Sequence, residues 1–108
     1  MKENNSSITL NVQYDTQNTP EHIDWKYTEK KPTKTDAFLL AIWDKNTQKS
    51  LHIDIWTKDM TKDEMHHFIF QTMNTMADTY SRATGNTALA DKMKQVCNDL
   101  EKELTLGL

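Results

Sequence analysis

The 108-residue chain predicts an α+β fold: a four-stranded antiparallel sheet, then a C-terminal two-helix hairpin packed on one sheet face, in the order ββββαα. Three observations carry this. Leu51, Ile53 and Ile55 alternate with His52, Asp54 and Trp56, the period of a half-buried strand. Thr61 with Glu64 three residues later is a capping box, and from Met65 to Ala83 apolar residues recur every three or four positions. Every other strand signal lies upstream and the second helix signal lies downstream, the order of a sheet with segregated helices.

The first strand is Ser7 to Tyr14, where Ile8, Leu10, Val12 and Tyr14 alternate with Thr9, Asn11 and Gln13. Asp15 to Pro20 reads as a turn. Ile23, Trp25 and Tyr27 alternate with Asp24, Lys26 and Thr28 and give a second strand in a hairpin with the first. Glu29 to Asp36 (EKKPTKTD) is a charged loop with a proline, expected to be the most mobile segment. Ala37 to Trp43 (AFLLAIW) is apolar throughout, so its periodicity fits a strand or a short buried helix. The turn residues Asp44 to Lys49 and the strand after them favour a third strand. The first helix is expected over about residues 62–84, roughly 34 Å long, with Gly85 as a left-handed stop. Leu89, Met93, Val96, Cys97, Leu100 and Leu104 line one face of a last helix from about Thr87 to Leu104. Residues 1–6 are polar and expected to fray.

Composition narrows the function. One domain is expected at this length, with a core that needs neither metal nor disulfide. A net charge of −3 supplies no basic field for phosphates, which argues against nucleic acid as a partner. The single cysteine, Cys97, excludes a disulfide framework and a cysteine-zinc cluster. The N-terminal residues lack the apolar run of a signal peptide and no segment has the length of a membrane span, so the cytoplasm is the expected compartment. The two glycines, Gly85 and Gly107, lie in no phosphate-cradling loop.

The residues that could carry chemistry have plainer readings. His66 and His67 are neighbours on a helix, about 100° apart, so they cannot act as a metal-binding pair. Asp63 and His67 have the spacing of a surface ion pair. Asp59 and Asp63 suit the positive end of a helix start better than a catalytic dyad. Cys97 reads as a buried structural thiol, and Met65, Met73 and Met76 as core. No catalytic residue, metal site or cofactor is expected, and the chain is expected not to be an enzyme.

The hairpin of the third and fourth strands is more informative. A four-residue loop, Lys45 to Gln48, puts Phe38, Leu40 and Ile42 on one face with Leu51, Ile53 and Ile55. The other face then carries Ala37, Leu39, Ala41, Trp43, His52, Asp54 and Trp56. A loop one residue shorter or longer flips the third strand. Either way one helix layer leaves large apolar side chains uncovered, Trp56 always among them, which marks an interface; the alternative is that the charged loop or the N-terminal segment folds over the face, or that residues 37–43 are helix. Trp43, His52, Asp54 and Trp56 are the expected partner-binding residues.

The run Ala41-Ile-Trp-Asp44, then Ile53-Asp-Ile-Trp-Thr-Lys-Asp-Met60, then Asp63-Glu-Met65, Phe68, Gln71-Thr-Met73, Met76-Ala-Asp-Thr-Tyr80 and Arg82-Ala-Thr84 resembles the gliding-motility-associated GldC family of Bacteroidetes. Ile8 to Asp15, Pro20-Glu21, Ile23-Asp24-Trp25 and Met93 to Cys97 extend the likeness over nearly the whole chain, residues 1–108, as a single GldC-like domain. The departures are local: a basic loop at Glu29 to Asp36, histidine at His52, and the pair His66-His67. The resemblance implies a non-enzymatic accessory protein of gliding motility, with no cofactor and no catalytic residues to carry over. Its expected partner is a protein of the gliding machinery or a second copy in a homodimer. A homodimeric chaperone-like protein is the alternative, and a small-ligand-binding domain a more distant one.

Overall fold

The computed structural model describes residues 4–106. They form two compact units, one ending at Met60 and the other beginning at Thr61. Of the segment expected to fray, residues 1–3 lie outside the described residues, and residues 4–6 carry no helix or strand.

The first unit holds five strands in two antiparallel sheets, where a single four-stranded sheet was expected. β1 (Ile8–Tyr14), β2 (Pro20–Tyr27) and β3 (Thr33–Thr35) form one sheet; β4 (Ala37–Asp44) and β5 (Lys49–Trp56) form the other. β1 and β2 pair Ile8 with Tyr27, Leu10 with Trp25 and Val12 with Ile23, so the alternating apolar residues share a face. Ile23, flanked in the ladder by Val12 and Thr35, is fully buried. The turn between them is held by Asp15, whose Oδ1 accepts from Gln17 N–H at 2.8 Å and Thr19 N–H at 3.0 Å. These bonds, from Thr19 foremost, hold its carboxyl below the ordinary range, and Lys58 Nζ, 3.3 Å from Oδ2, adds to the effect.

β3 lies inside the charged segment Glu29 to Asp36 that was expected to be a mobile loop. It takes the second edge of β2, pairing Thr35 with Ile23 and Thr33 with Trp25. The chain then bends at Asp36, and this bend divides the sheet. Thr35 Oγ1 donates to Ala37 O at 3.2 Å. Asp36 O accepts from Thr57 N–H at 2.8 Å, and its Oδ1 accepts from the Thr57 hydroxyl at 3.3 Å. Asp36 thus joins the ladder of β5, while β2 is already filled by β3. Thr57, 1% exposed, is buried with both its donors satisfied. Lys58 N–H reaches Pro20 O at 3.2 Å and ties the end of β5 to the start of β2.

The β4–β5 turn is the four-residue loop. Asp44 pairs with Lys49, Asp44 Oδ1 accepts from Asn46 N–H at 3.0 Å, and Oδ2 from Thr47 Oγ1 at 2.9 Å. Gln48 closes the turn with φ 58°. Residues 37–43 are therefore strand, not helix.

The second unit is a helical hairpin of α1 (Lys62–Thr84) and α2 (Thr87–Leu106), at the expected places. Thr61 Oγ1 accepts from Glu64 N–H at 3.1 Å and Glu64 Oε1 accepts from Thr61 N–H at 3.0 Å, completing the capping box. Gly85 ends α1 with φ 76°, a conformation that costs other residues strain. Asn86 Oδ1 accepts from Leu89 N–H at 3.0 Å and starts α2. Among the described residues of this unit Ala77, Ala90 and Cys97 are buried, all of them small side chains that permit a close approach of the helices. Lys94 pairs with Asp78 across the hairpin, and Cys97 Sγ donates to Phe70 O at 3.4 Å. Met76 was expected in the core but is 57% exposed. Leu89, Val96 and Leu100, on the predicted apolar face of α2, are exposed as well.

The capping bonds depress the Glu64 pKa below its ordinary 4.5, the Thr61 N–H being the main cause. A depressed carboxylate stabilises the fold above its unfolded-state pKa, and that contribution is lost as pH falls through the lower folded-state value. The stability gap between wild type and Glu64→Gln is therefore expected to narrow below pH 4.5. Chemical denaturation at pH 7 and pH 3 measures this; a gap that widens in acid would contradict the capping role.

Candidate partner-binding face

The β4–β5 register places all four expected partner-binding residues on one face. β5 contributes Ser50, His52, Asp54 and Trp56; β4 contributes Ala37, Leu39, Ala41 and Trp43. Across the ladder Ala37 faces Trp56, Leu39 faces Asp54, Ala41 faces His52 and Trp43 faces Ser50. The two tryptophans thus stand at opposite ends of the face, roughly 20 Å apart along the strand. Each lies opposite a small residue, which leaves its ring uncovered: Trp43 is 61% and Trp56 53% exposed. Ser50 Oγ and His52 Nε2 are 2.8 Å apart, a hydrogen bond that fixes the imidazole along the strand. Asp54 and Trp56 also border an open hollow of about 310 Å³ with Thr19, Pro20 and Lys58.

The opposite face carries Phe38, Leu40, Ile42, Leu51, Ile53 and Ile55 and no polar side chain in those positions. Ile42, Leu51 and Ile53 are each at least half exposed. This face was expected to lie under the helix layer and so had no expected partner. Its signal was the unbroken AFLLAIW run, which suits a strand buried on both faces.

The other candidate groups lie apart. In the helical unit Asp63 pairs with His67 at 3.5 Å, both exposed. An open hollow of about 420 Å³ near them is lined by Lys62, His66, Phe70 and Glu101 among others. Among the described residues, no three His, Cys, Asp or Glu side chains come together as metal ligands. Cys97 is fully buried; burial pushes its thiol above the ordinary value and Glu101 adds to the rise, the opposite of what a nucleophile needs. No helix among the described residues is long and apolar enough to cross a membrane.

A strand unit followed by a helical hairpin, with tryptophans standing out from its last ribbon, defines an α+β protein of the strands-then-helices type. The chain belongs to the GldC-like family: the family model described as gliding motility-associated protein GldC-like matches residues 20–106, from the start of β2 to the end of α2. Among curated proteins and among solved structures, nothing matches the chain.

Proposed function

We propose that this chain is a non-enzymatic accessory protein of gliding motility in Bacteroidetes that works in the cytoplasm by binding a protein partner. Trp43, His52, Asp54 and Trp56 form the contact face. The observation that carries this reading is the pair of half-exposed tryptophans at the two ends of one sheet face. Large aromatics that become desolvated on binding are the usual anchors of an interface, and a monomer gains nothing from keeping them in water. The family match supports the link to gliding. The buried, unactivated Cys97 favours a binding role over nucleophilic chemistry.

Trp56→Lys tests it. The side chain is exposed, so folding should persist. Tagged wild type is expected to retain motility proteins in its native bacterium, and Trp56→Lys to lose at least tenfold of them, the scale of one interface anchor. Equal recovery by a folded Trp56→Lys protein would sink the face.

A homodimer is the second reading, favoured by the apolar ribbon β4–β5, which as a two-stranded sheet is marginal on its own. A chaperone-like role would follow from such a dimer.

A further inference from the structure

We propose that the outer edge of β4 pairs antiparallel with the same edge of β4 in a second copy of this chain, about a two-fold axis at Leu40. This rests on the homodimer reading and names the surface and the register that make the dimer.

The first support is the absence of any guard on this edge. Exposed edge strands are normally blunted by charge, proline, a bulge or short length. β1 alternates Thr9, Asn11 and Gln13, and its ladder is irregular between Gln13 and Tyr14. β3 is three residues long and carries Lys34. β5 carries Lys49, His52 and Asp54, and its end is tied to β2 through Lys58 and Pro20. From Ala37 to Trp43, β4 carries no charge and no proline, and its register against β5 is unbroken up to Asp44. The acids at its two ends are occupied: Asp36 holds the Thr57 hydroxyl, and Asp44 holds Asn46 and Thr47 in its own turn.

The second support is the direction of the backbone groups. Thr57 N–H donates to Asp36 O, and these two residues face each other in the register that pairs Ala37 with Trp56. Asp36 is therefore in a hydrogen-bonded pair. By alternation Phe38, Leu40 and Ile42 turn their backbone groups inward to β5, while Ala37, Leu39, Ala41 and Trp43 turn theirs outward. An axis at Leu40 sets Leu39 opposite the partner's Ala41 and Ala37 opposite the partner's Trp43. The other outward groups of both strands then meet in hydrogen-bonded pairs, about six bonds in total, Ala37 O already accepting from Thr35 Oγ1.

The third support is side-chain fit and area. In this register each Trp43 meets an alanine, repeating the Ala37–Trp56 pairing within the hairpin. Leu39 meets an alanine and Ile42 meets Phe38, and no charged side chain opposes another between Ala37 and Trp43. The contact is isologous, as a symmetric dimer requires. Seven paired residues bury on the order of 500 Å² per copy, the size of a weak, reversible interface.

The experiment combines sedimentation equilibrium with cysteine cross-linking in the full chain. A non-hydrogen-bonded pair on a two-fold axis holds its Cα atoms about 4.5 Å apart, within disulfide range. Leu40→Cys is expected to form a covalent dimer under mild oxidation, joined at position 40. Phe38→Cys and wild type, whose Cys97 is buried, are expected to stay at background. Ala41→Pro removes one outward N–H that the β4–β5 ladder does not use, and is expected to weaken association at least tenfold. Dimers that survive Ala41→Pro, with Leu40→Cys no more reactive than Phe38→Cys, would overturn the edge pairing and leave another dimer surface standing. A mass that stays monomeric at millimolar concentration would overturn both. Cross-linking compares folded variants that each carry one added cysteine beside the buried Cys97, and stays decisive if Ala41→Pro fails to fold.

Discussion

Ile23→Ala is expected to destabilise the strand unit by about 3 kcal/mol, the range for removing a fully buried isoleucine. Among the described residues of that unit, Ile23 is the one large apolar side chain with no exposed surface; Trp25 and Tyr27 on the same face are 38% and 43% exposed. It sits on the central strand of its sheet, between Val12 of β1 and Thr35 of β3, so the cavity would open on both sides. Ile8, on the same face at the edge, is 68% exposed, and Ile8→Ala should cost under about 0.5 kcal/mol. Denaturant midpoints followed by tryptophan fluorescence compare the two. Similar losses for both would mean that burial at Ile23 does not hold the sheet.

The second large effect is expected at Ala77. This residue is fully buried in the helical hairpin, and Ala90 and Cys97 are its buried counterparts on α2. The buried residues of the seam are small and leave little room for a larger side chain. Ala77→Leu inserts three carbons into it and should cost about 2–3 kcal/mol through forced rotamers or separation of the helices. Ala83→Leu adds the same atoms at an exposed position of α1 and should be near neutral, since both residues favour helix. Loss of helical ellipticity against urea measures both. If Ala77→Leu proved as stable as Ala83→Leu, the seam would not be closely packed.

Much of this architecture was legible in the sequence where one signal fixes one local geometry. Thr61 with Glu64 located the start of α1, and Gly85 its end, because a cap and a left-handed stop depend on a few neighbouring atoms. The ribbon register followed once the loop length was known, and Asp44 sets that length by accepting from Asn46 and Thr47. That in turn placed Trp43, His52, Asp54 and Trp56 on one face. The division into two sheets was not legible. It depends on Thr33–Thr35 filling the edge of β2 and on Asp36 turning to Thr57, a residue 21 positions away. A three-residue strand in a lysine-rich segment has no periodicity to read. The exposure of Met76 was likewise invisible, since periodicity shows which residues share a stripe and not how much of that stripe finds a partner.

Trp25, Trp43 and Trp56 all lie in the strand unit, while the lone thiol, Cys97, lies fully buried in the helical hairpin. Nature has thus given each half of the chain its own built-in reporter. Indole emission follows the strands, and the rate at which a thiol reagent captures Cys97 follows opening of the helices. One unlabelled sample can therefore show whether the two halves come apart in a single cooperative step or in succession.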